Sequence, residues 1–358
     1  MRSLSHTVLS LILCICLLLS LSSCSFFKGV FKSDNGEETG TGGTSGPVDV
    51  PETVDRAPGV YSFLILNEGQ TEGTLASIFL LALNSTESGG ASFLQIPIRT
   101  YISGGSFASI YSASYSAAVT DGNNTDIARE KAIAAVKNAV VSKMCIGVDY
   151  HICFTYDGFI DAIDSIGGVT VDVPFVVPSG KSAISSGRQT LDGVSAASLV
   201  SYSGFSVASQ IDVFKVVLGA YIARAKQTVT SSNLSLFVLE LRNSSVTDVP
   251  YNAGEDIFFM RKLLYSSSDS VRFSTVASQS IAISTGLAHV VYKSALCSQI
   301  IEFLALYSVP DISDKFDPGE DLNDKTNAMI NTIYNSAGTV PAVFDLTAVA
   351  GGAIALTK

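Results

Sequence analysis

Tryptophan is absent from the 358 residues, histidine occurs three times, and charged residues make up only 15% of the chain. The 22 Lys and Arg against 32 Asp and Glu leave a formal net charge of -10, and nowhere do the cations cluster. That argues against a nucleic-acid partner, whose phosphates need runs of Lys and Arg to neutralise them. No Cys-His spacing suits a metal site, and beyond the N-terminal segment the only histidines are His151 and His289. What the chain has in quantity is apolar side chains, 47% of its residues, enough to build the core of one large domain or two small ones.

The first residues have a cationic start at Arg2, an apolar run VLSLILCICLLLSL, and then Leu21-Ser22-Ser23-Cys24. This pattern reads as a bacterial lipoprotein signal over residues 1–23: the run is short for a spanning helix, and small residues precede a cysteine where cleavage and lipid attachment occur. Lipidation at Cys24 would anchor the body on the extracytoplasmic face of the cell membrane. An uncleaved anchor would leave it on the same face. Residues 24–58, with SDNGEETGTGGTSGP inside them, are rich in Gly, Ser, Thr and acid and read as a flexible tether ahead of a domain over 59–358. Removal of the signal leaves Cys145, Cys153 and Cys297. Cys145 and Cys153 flank or occupy one strand and are too far apart along an extended chain to bond each other, so at most one disulfide is expected, with buried free thiols as the state.

The most legible stretch is Tyr156 to Pro174, YDGFIDAIDSIGGVTVDVP. Asp157 is placed to cap a helix whose apolar stripe is Phe159 or Ile160, Ile163 and Ile166, and Gly167-Gly168 stops it. Val169, Val171 and Val173 then alternate with polar neighbours as a half-buried strand ended by Pro174. With GVDYHICFTY as the strand before it, the spacing predicts a strand-helix-strand crossover within an α/β sheet. Upstream, YSFLILNEG, TLASIFLLALN and SFLQIPIRTYI read as strands, the first two apolar enough to be central. Gly104 to Asn124 lacks period and reads as loop with short helix, and Thr125 to Lys143 as a helix with Ile133, Val136 and Val140 on one side.

In combination, ASIFLLALN, IPIRTY, GFIDAIDSIGGVTVDVP and GRQTLDGVSAASLVSYS resemble, in register from about Val60 to Gln227, the LytR-CpsA-Psr (LCP) family of cell-envelope phosphotransferases. The resemblance implies an α-β-α fold, a central mixed sheet flanked by helices, with a pocket for a polyprenyl-pyrophosphate-linked sugar. It also implies transfer of a glycopolymer to peptidoglycan, with the pyrophosphate held by cations and by Mg²⁺ on acidic ligands.

Several positions depart from that pattern. Ala76 stands where the family has an acidic ligand; Pro97, Ile98 and Arg99 stand at its Pro-Arg-Asp; Ser201 and Ser203 stand at its paired arginines. Gln210, Val213 and Phe214 fall near the arginines and glutamine of the following helix, leaving Lys215 as the nearby cation. Arg99 cannot simply replace an arginine at Ile98, because neighbouring strand side chains point to opposite faces. No catalytic residue is therefore assigned. Arg99, Arg188 and Lys215 read either as a reduced anion site or as plain solvated charges. Ser201, Tyr202 and Ser203 read either as sugar-binding groups or as the end of a strand with one buried tyrosine.

The helix from about Ser209 to Gln227 carries Phe214, Val217 or Leu218, Tyr221 and Ala225 on one face. Beyond it, GEDIFFMRKLLY and HVVYKSALCSQIIEFLALY read as helices and SVRFSTVAS as a strand, while the final VFDLTAVAGGAIAL is an added strand or a loosely packed tail. Asp317, Glu320, Asp321 and Asp324 fit no EF-hand spacing and read as caps for a helix at DKTNAMINTIY. The expected function is an LCP-like domain that binds envelope glycan, polyprenyl carrier or a partner without catalysis and without a cofactor. The alternatives are an active transferase, which would use Mg²⁺, and a solute-binding lipoprotein, whose two similar lobes would show as an internal repeat.

Overall fold

A computed structural model describes residues 53–358 other than 87–88, 104, 180–181, 252–253, 313–315 and 317–322. The expected signal, Cys24, most of the expected tether, and Asp317, Glu320 and Asp321 lie outside those residues. No helix among the described residues is long and apolar enough to cross a membrane.

The chain begins with three strands, β1 (Val60–Glu68), β2 (Leu75–Asn84) and β3 (Ala91–Ile96), followed by helices α1 (Phe107–Thr120) and α2 (Thr125–Met144). Strand β4 (Tyr150–Phe154), helix α3 (Tyr156–Ser165), the ribbon β5 (Val169–Val173) and β6 (Gly187–Leu191), and helices α4 (Gly193–Val200), α5 (Val207–Thr228) and α6 (Leu234–Asn243) come next. Then follow β7 (Ser245–Thr247), α7 (Glu255–Tyr265), β8 (Val271–Thr275), the hairpin β9 (Ser278–Ile283) and β10 (Gly286–Val291), α8 (Lys293–Leu304), α9 (Asp324–Tyr334), β11 (Phe344–Asp345) and α10 (Leu346–Ala350).

Seven strands form one sheet in the order β7-β4-β1-β2-β3-β8-β11. It is mixed: β1 pairs with β4 and β3 with β8 in parallel, and the other pairs are antiparallel. Helices cover both faces, so the α-β-α expectation holds. Because neighbouring strand residues point to opposite faces, each central strand feeds two cores. Leu64, Leu66, Ile78, Leu80 and Leu94 pack under α1, α2, α8 and α9. Phe63, Ile65, Phe79, Leu81 and Phe93 face α3, α4, α5, α6 and α7.

Four local expectations are corrected. Gly104–Asn124 is mostly α1, started by a reciprocal box in which Ser106 Oγ accepts from Ser109 N–H and Ser109 Oγ accepts from Ser106 N–H. Its short period of Ser and Ala hid Phe107, Tyr111 and Tyr115, which are buried. The cap of α3 is Thr155, not Asp157. The stretch at HVVYKSALCSQIIEFLALY divides at Tyr292: its β-branched start belongs to β10, paired with β9, and the helix begins at Lys293. Strand β5 stays outside the main sheet and pairs with β6 alone, so β4, α3 and β5 are consecutive but not a crossover within one sheet.

Gly167 and Gly168 end α3 with φ of 79° and 88°, as the sequence requires. Among the described residues, Cys145, Cys153 and Cys297 are buried and form no disulfide with one another. Residues ahead of Val60 are tied to the body, Val54 N–H donating to Cys145 O at 3.0 Å and Tyr307 N–H to Asp55 O at 3.1 Å. The last segment is not a loose tail. β11 closes the sheet edge beside β8, Leu346, Val349, Ile354 and Leu356 are buried, and Thr357 N–H donates to Ser209 Oγ at 2.7 Å while its carbonyl accepts from Ser206 N–H at 2.9 Å.

One charged pair is buried on the face under α1 and α2. Arg129 Nε donates to Glu68 Oε2 at 2.9 Å, and Tyr111 OH donates to Glu68 Oε1 at 2.5 Å. Burial foremost, with help from the Cys153 thiol and the Glu68 carboxylate, pushes the Tyr111 phenol far above its usual range, so it stays a donor. Removing one partner of such a pair strands the other in an apolar site. Arg129→Met is expected to lower stability in urea unfolding by about 3–5 kcal/mol, and pairing it with Glu68→Leu to recover most of the loss. An unchanged denaturation midpoint for Arg129→Met would show that the pair is not structural.

Candidate functional site

The aromatic face of the sheet does not close fully on its helices. Between them lies a cavity of about 170 Å³. Its floor is Phe63, Ile65, Phe79, Leu81 and Phe93, and its roof comes from α5, α6 and α7. The α5 stripe of Phe214, Val217, Leu218, Tyr221 and Ala225 faces it as helical spacing requires, and Phe159 and Ile163 of α3 close one side. Lys226, at the end of α5, donates to the carbonyls of Leu263, Leu264 and Ser266 at 3.1, 2.9 and 2.7 Å and so ties the C-terminus of α7 to the roof. Burial holds its ammonium below the usual lysine range, and burial likewise raises the Tyr221 phenol.

Polar groups gather at two places on this face. Toward the C-terminal ends of β1, β3 and β8, Asn67 Nδ2 donates to Ser77 Oγ at 2.6 Å and Gln95 Nε2 to Ile211 O at 2.8 Å. Lys215 Nζ donates to Thr275 Oγ1 at 2.6 Å and pairs with Asp212 Oδ1 at 2.8 Å. Gln95 Oε1 is buried with no hydrogen-bond partner among the described residues. At the other edge, beside β7, Arg242 and Asp256 line the cavity with Ser245 and Thr247. Arg242 Nη1 donates to Val249 O at 2.8 Å and lies 3.5 Å from Asp256 Oδ2, and its guanidinium lies 5.0 Å from the Tyr251 ring centroid. Five strand spacings separate β7 from β8, roughly 24 Å, so these are separate polar ends.

A sequence profile described as the LytR_cpsA_psr family matches residues 124–302, half of the chain. The chain belongs to the LytR-CpsA-Psr family. The LCP match extends past Gln227, through α6, α7 and the β9–β10 hairpin, into α8. Among solved structures the chain is similar in fold to protein gbs0355 from Streptococcus agalactiae, at 13% identity and a TM-score of 0.59, over 73% of this chain and 93% of that one. B. subtilis TagV gives 17%, 0.55, 70% and 98% for the same quantities, and TagT bound to LI-WTA gives 17%, 0.54, 70% and 92%. No curated protein matches the sequence.

The residues singled out in the LCP-like stretch are dispersed. Ile98 is half-buried against the core under α1 and α2, away from the cavity. Arg99 is exposed; its carbonyl accepts from His289 N–H at 3.0 Å, and burial, followed by the Arg99 charge, holds the His289 ring below its ordinary pKa. Arg188 Nη2 donates to Ala350 O at 3.1 Å. Lys215 is 3% exposed, so its reading as a solvated charge is corrected. No described hydrogen bond or ion pair links these three cations.

Ser201 to Ser203 follow a helix, not a strand. Ser201 is the exposed C-cap of α4, Tyr202 is half-buried with its ring 5.3 Å from Phe205 and 6.0 Å from Phe175, and the Ser203 carbonyl accepts from Gln210 Nε2 at 3.2 Å. Sequence reasoning missed Asn67, Gln95, Arg242 and Asp256. Asn67 and Gln95 shared strand parity with Phe63 and Phe93, which was the available signal; Arg242 and Asp256 meet only through tertiary packing.

Because the chain has no tryptophan, Phe237→Trp on the cavity wall would be a unique fluorophore. Its emission is expected to be blue-shifted, as in a dry apolar site, and to change when a long apolar ligand is added. Emission at the wavelength of water-exposed indole would contradict a dry cavity.

Proposed function

We propose that this LCP protein is lipid-anchored through Cys24 on the extracytoplasmic face of the cell membrane. There it binds the apolar chain of a polyprenyl-linked envelope glycan without transferring the glycan to peptidoglycan. The observation that carries this reading is an apolar cavity on the same sheet face as a polar cluster whose cation, Lys215, is already paired with Asp212. A pyrophosphate in transit needs several charge-assisted donors to hold the charge that develops on the leaving group. A neutral Lys-Asp pair beside amides and hydroxyls supplies little of that. The likeness of fold to TagT, whose structure holds LI-WTA, supports a ligand that joins a lipid to a glycan. Exposed Ser201 and Ser203 beside the Tyr202 ring offer hydrogen bonds and an apolar face to its sugars.

Mg²⁺ does not fit this end. The ion is held through carboxylates and phosphates, whereas the groups here are those of Asn67, Ser77, Gln95 and Thr275, and Asp212 is engaged by Lys215.

Incubating the protein with a lipid-linked pyrophosphate sugar, peptidoglycan and Mg²⁺ is expected to give no released phosphate and no transferred glycan. Turnover that falls with Arg99→Ala or Lys215→Ala would establish the transferase instead. Membrane attachment is read separately. Cys24→Ala is expected to move the processed protein to the soluble fraction, and unchanged membrane association would overturn the lipid anchor.

A further inference from the structure

We infer that the cavity takes a long-chain alcohol, held by its hydroxyl at the Arg242–Asp256 end. This rests on the cavity being a site for an apolar chain, and it assigns to that cavity a second ligand, a free alcohol, which would compete with the glycan-bearing carrier.

Asp256 is 8% exposed and lines the cavity. Its Oδ1 accepts from Ile257 N–H at 2.8 Å, which serves the start of α7. Its Oδ2 is buried with no hydrogen-bond partner among the described residues, and the nearest charge is Arg242 Nη1 at 3.5 Å, already committed to Val249 O. A buried carboxylate oxygen left without a donor is costly, and a cavity that presents one is short of a donor.

Three classes of head group are separated by this arrangement. A hydroxyl donates its proton to Asp256 Oδ2 and accepts from the Arg242 guanidinium, satisfying both without adding charge to a pair that is neutral. A phosphate has no proton to spare for Asp256 Oδ2 when fully ionised, and it would add net negative charge beside a pair that is already neutral, where water is scarce. A hydrocarbon end leaves Oδ2 as it was. From this end the lining continues from Thr247 on β7 to Phe93 on β3 and is mostly apolar, the surface against which a hydrocarbon chain packs.

The test uses the full chain carrying Phe237→Trp, titrated with farnesol, farnesyl phosphate and the hydrocarbon farnesene. Farnesol is expected to bind about tenfold or more tighter than either of the others, the fold-change of one hydrogen bond to a charged group. Asp256→Leu is expected to abolish that preference while leaving farnesene binding intact. The comparison of three ligands stands alone if that variant fails to fold. Farnesyl phosphate or farnesene binding as tightly as farnesol would overturn the head-group assignment and leave the apolar site standing. No response to any of the three would overturn both.

Discussion

A sheet dry on both faces imposes the constraint on which the rest of this molecule depends. In β1, β2 and β3 nearly every side chain is buried, so consecutive residues must serve different layers and register leaves no freedom. Leu64, Leu66 and Glu68 belong to the layer under α1 and α2, and Phe63, Ile65 and Asn67 to the layer under α5, α6 and α7. The two layers differ in kind. The central strands give the first layer aliphatic residues, Leu64, Leu66, Ile78, Leu80 and Leu94, around one buried ion pair, and give the second Phe63, Phe79 and Phe93, whose rings meet the helical roof and leave space between.

That difference leaves the space on the aromatic face. The apolar space depends on bulky side chains spread over β1 to β4, α3, α5, α6 and α7, and it does not rest on any one charge. The polar cluster near Lys215 depends on a few side chains at fixed positions, with Lys215 bound to Asp212, while Ile98 packs against the opposite face of the sheet. The apolar cavity and the polar cluster at Lys215 thus occupy separate parts of one face, so a change in one need not disturb the other.

Much of this was legible from residues alone, for reasons that are local. The near-continuous apolar runs in YSFLILNEG and ASIFLLALN, the Gly167-Gly168 stop and the α5 stripe each encode burial within one element. Ser201 to Ser203 were misread because GRQTLDGVSAAS places a strand and a helix in immediate succession with similar small residues. The route of β5 away from the main sheet was hidden, since period 2 marks a strand without naming its partner. Arg242 and Asp256 were invisible for the same kind of reason: they are 14 positions apart on different helices, and only the packing of α6 against α7 puts them at one edge of the cavity.

The C-terminal segment has a practical consequence. Thr357 is bonded to Ser206 and Ser209 at the start of α5, and Lys358 sits 4.6 Å over the Phe175 ring. Residues Thr357 and Lys358 therefore fasten the last segment to the helix that forms the cavity roof and to the loop that presents Tyr202. An affinity tag or fusion partner joined after Lys358 would emerge beside those groups and load the fastening, so purification handles and crystallisation chaperones belong at the opposite end of the folded unit, ahead of Val54.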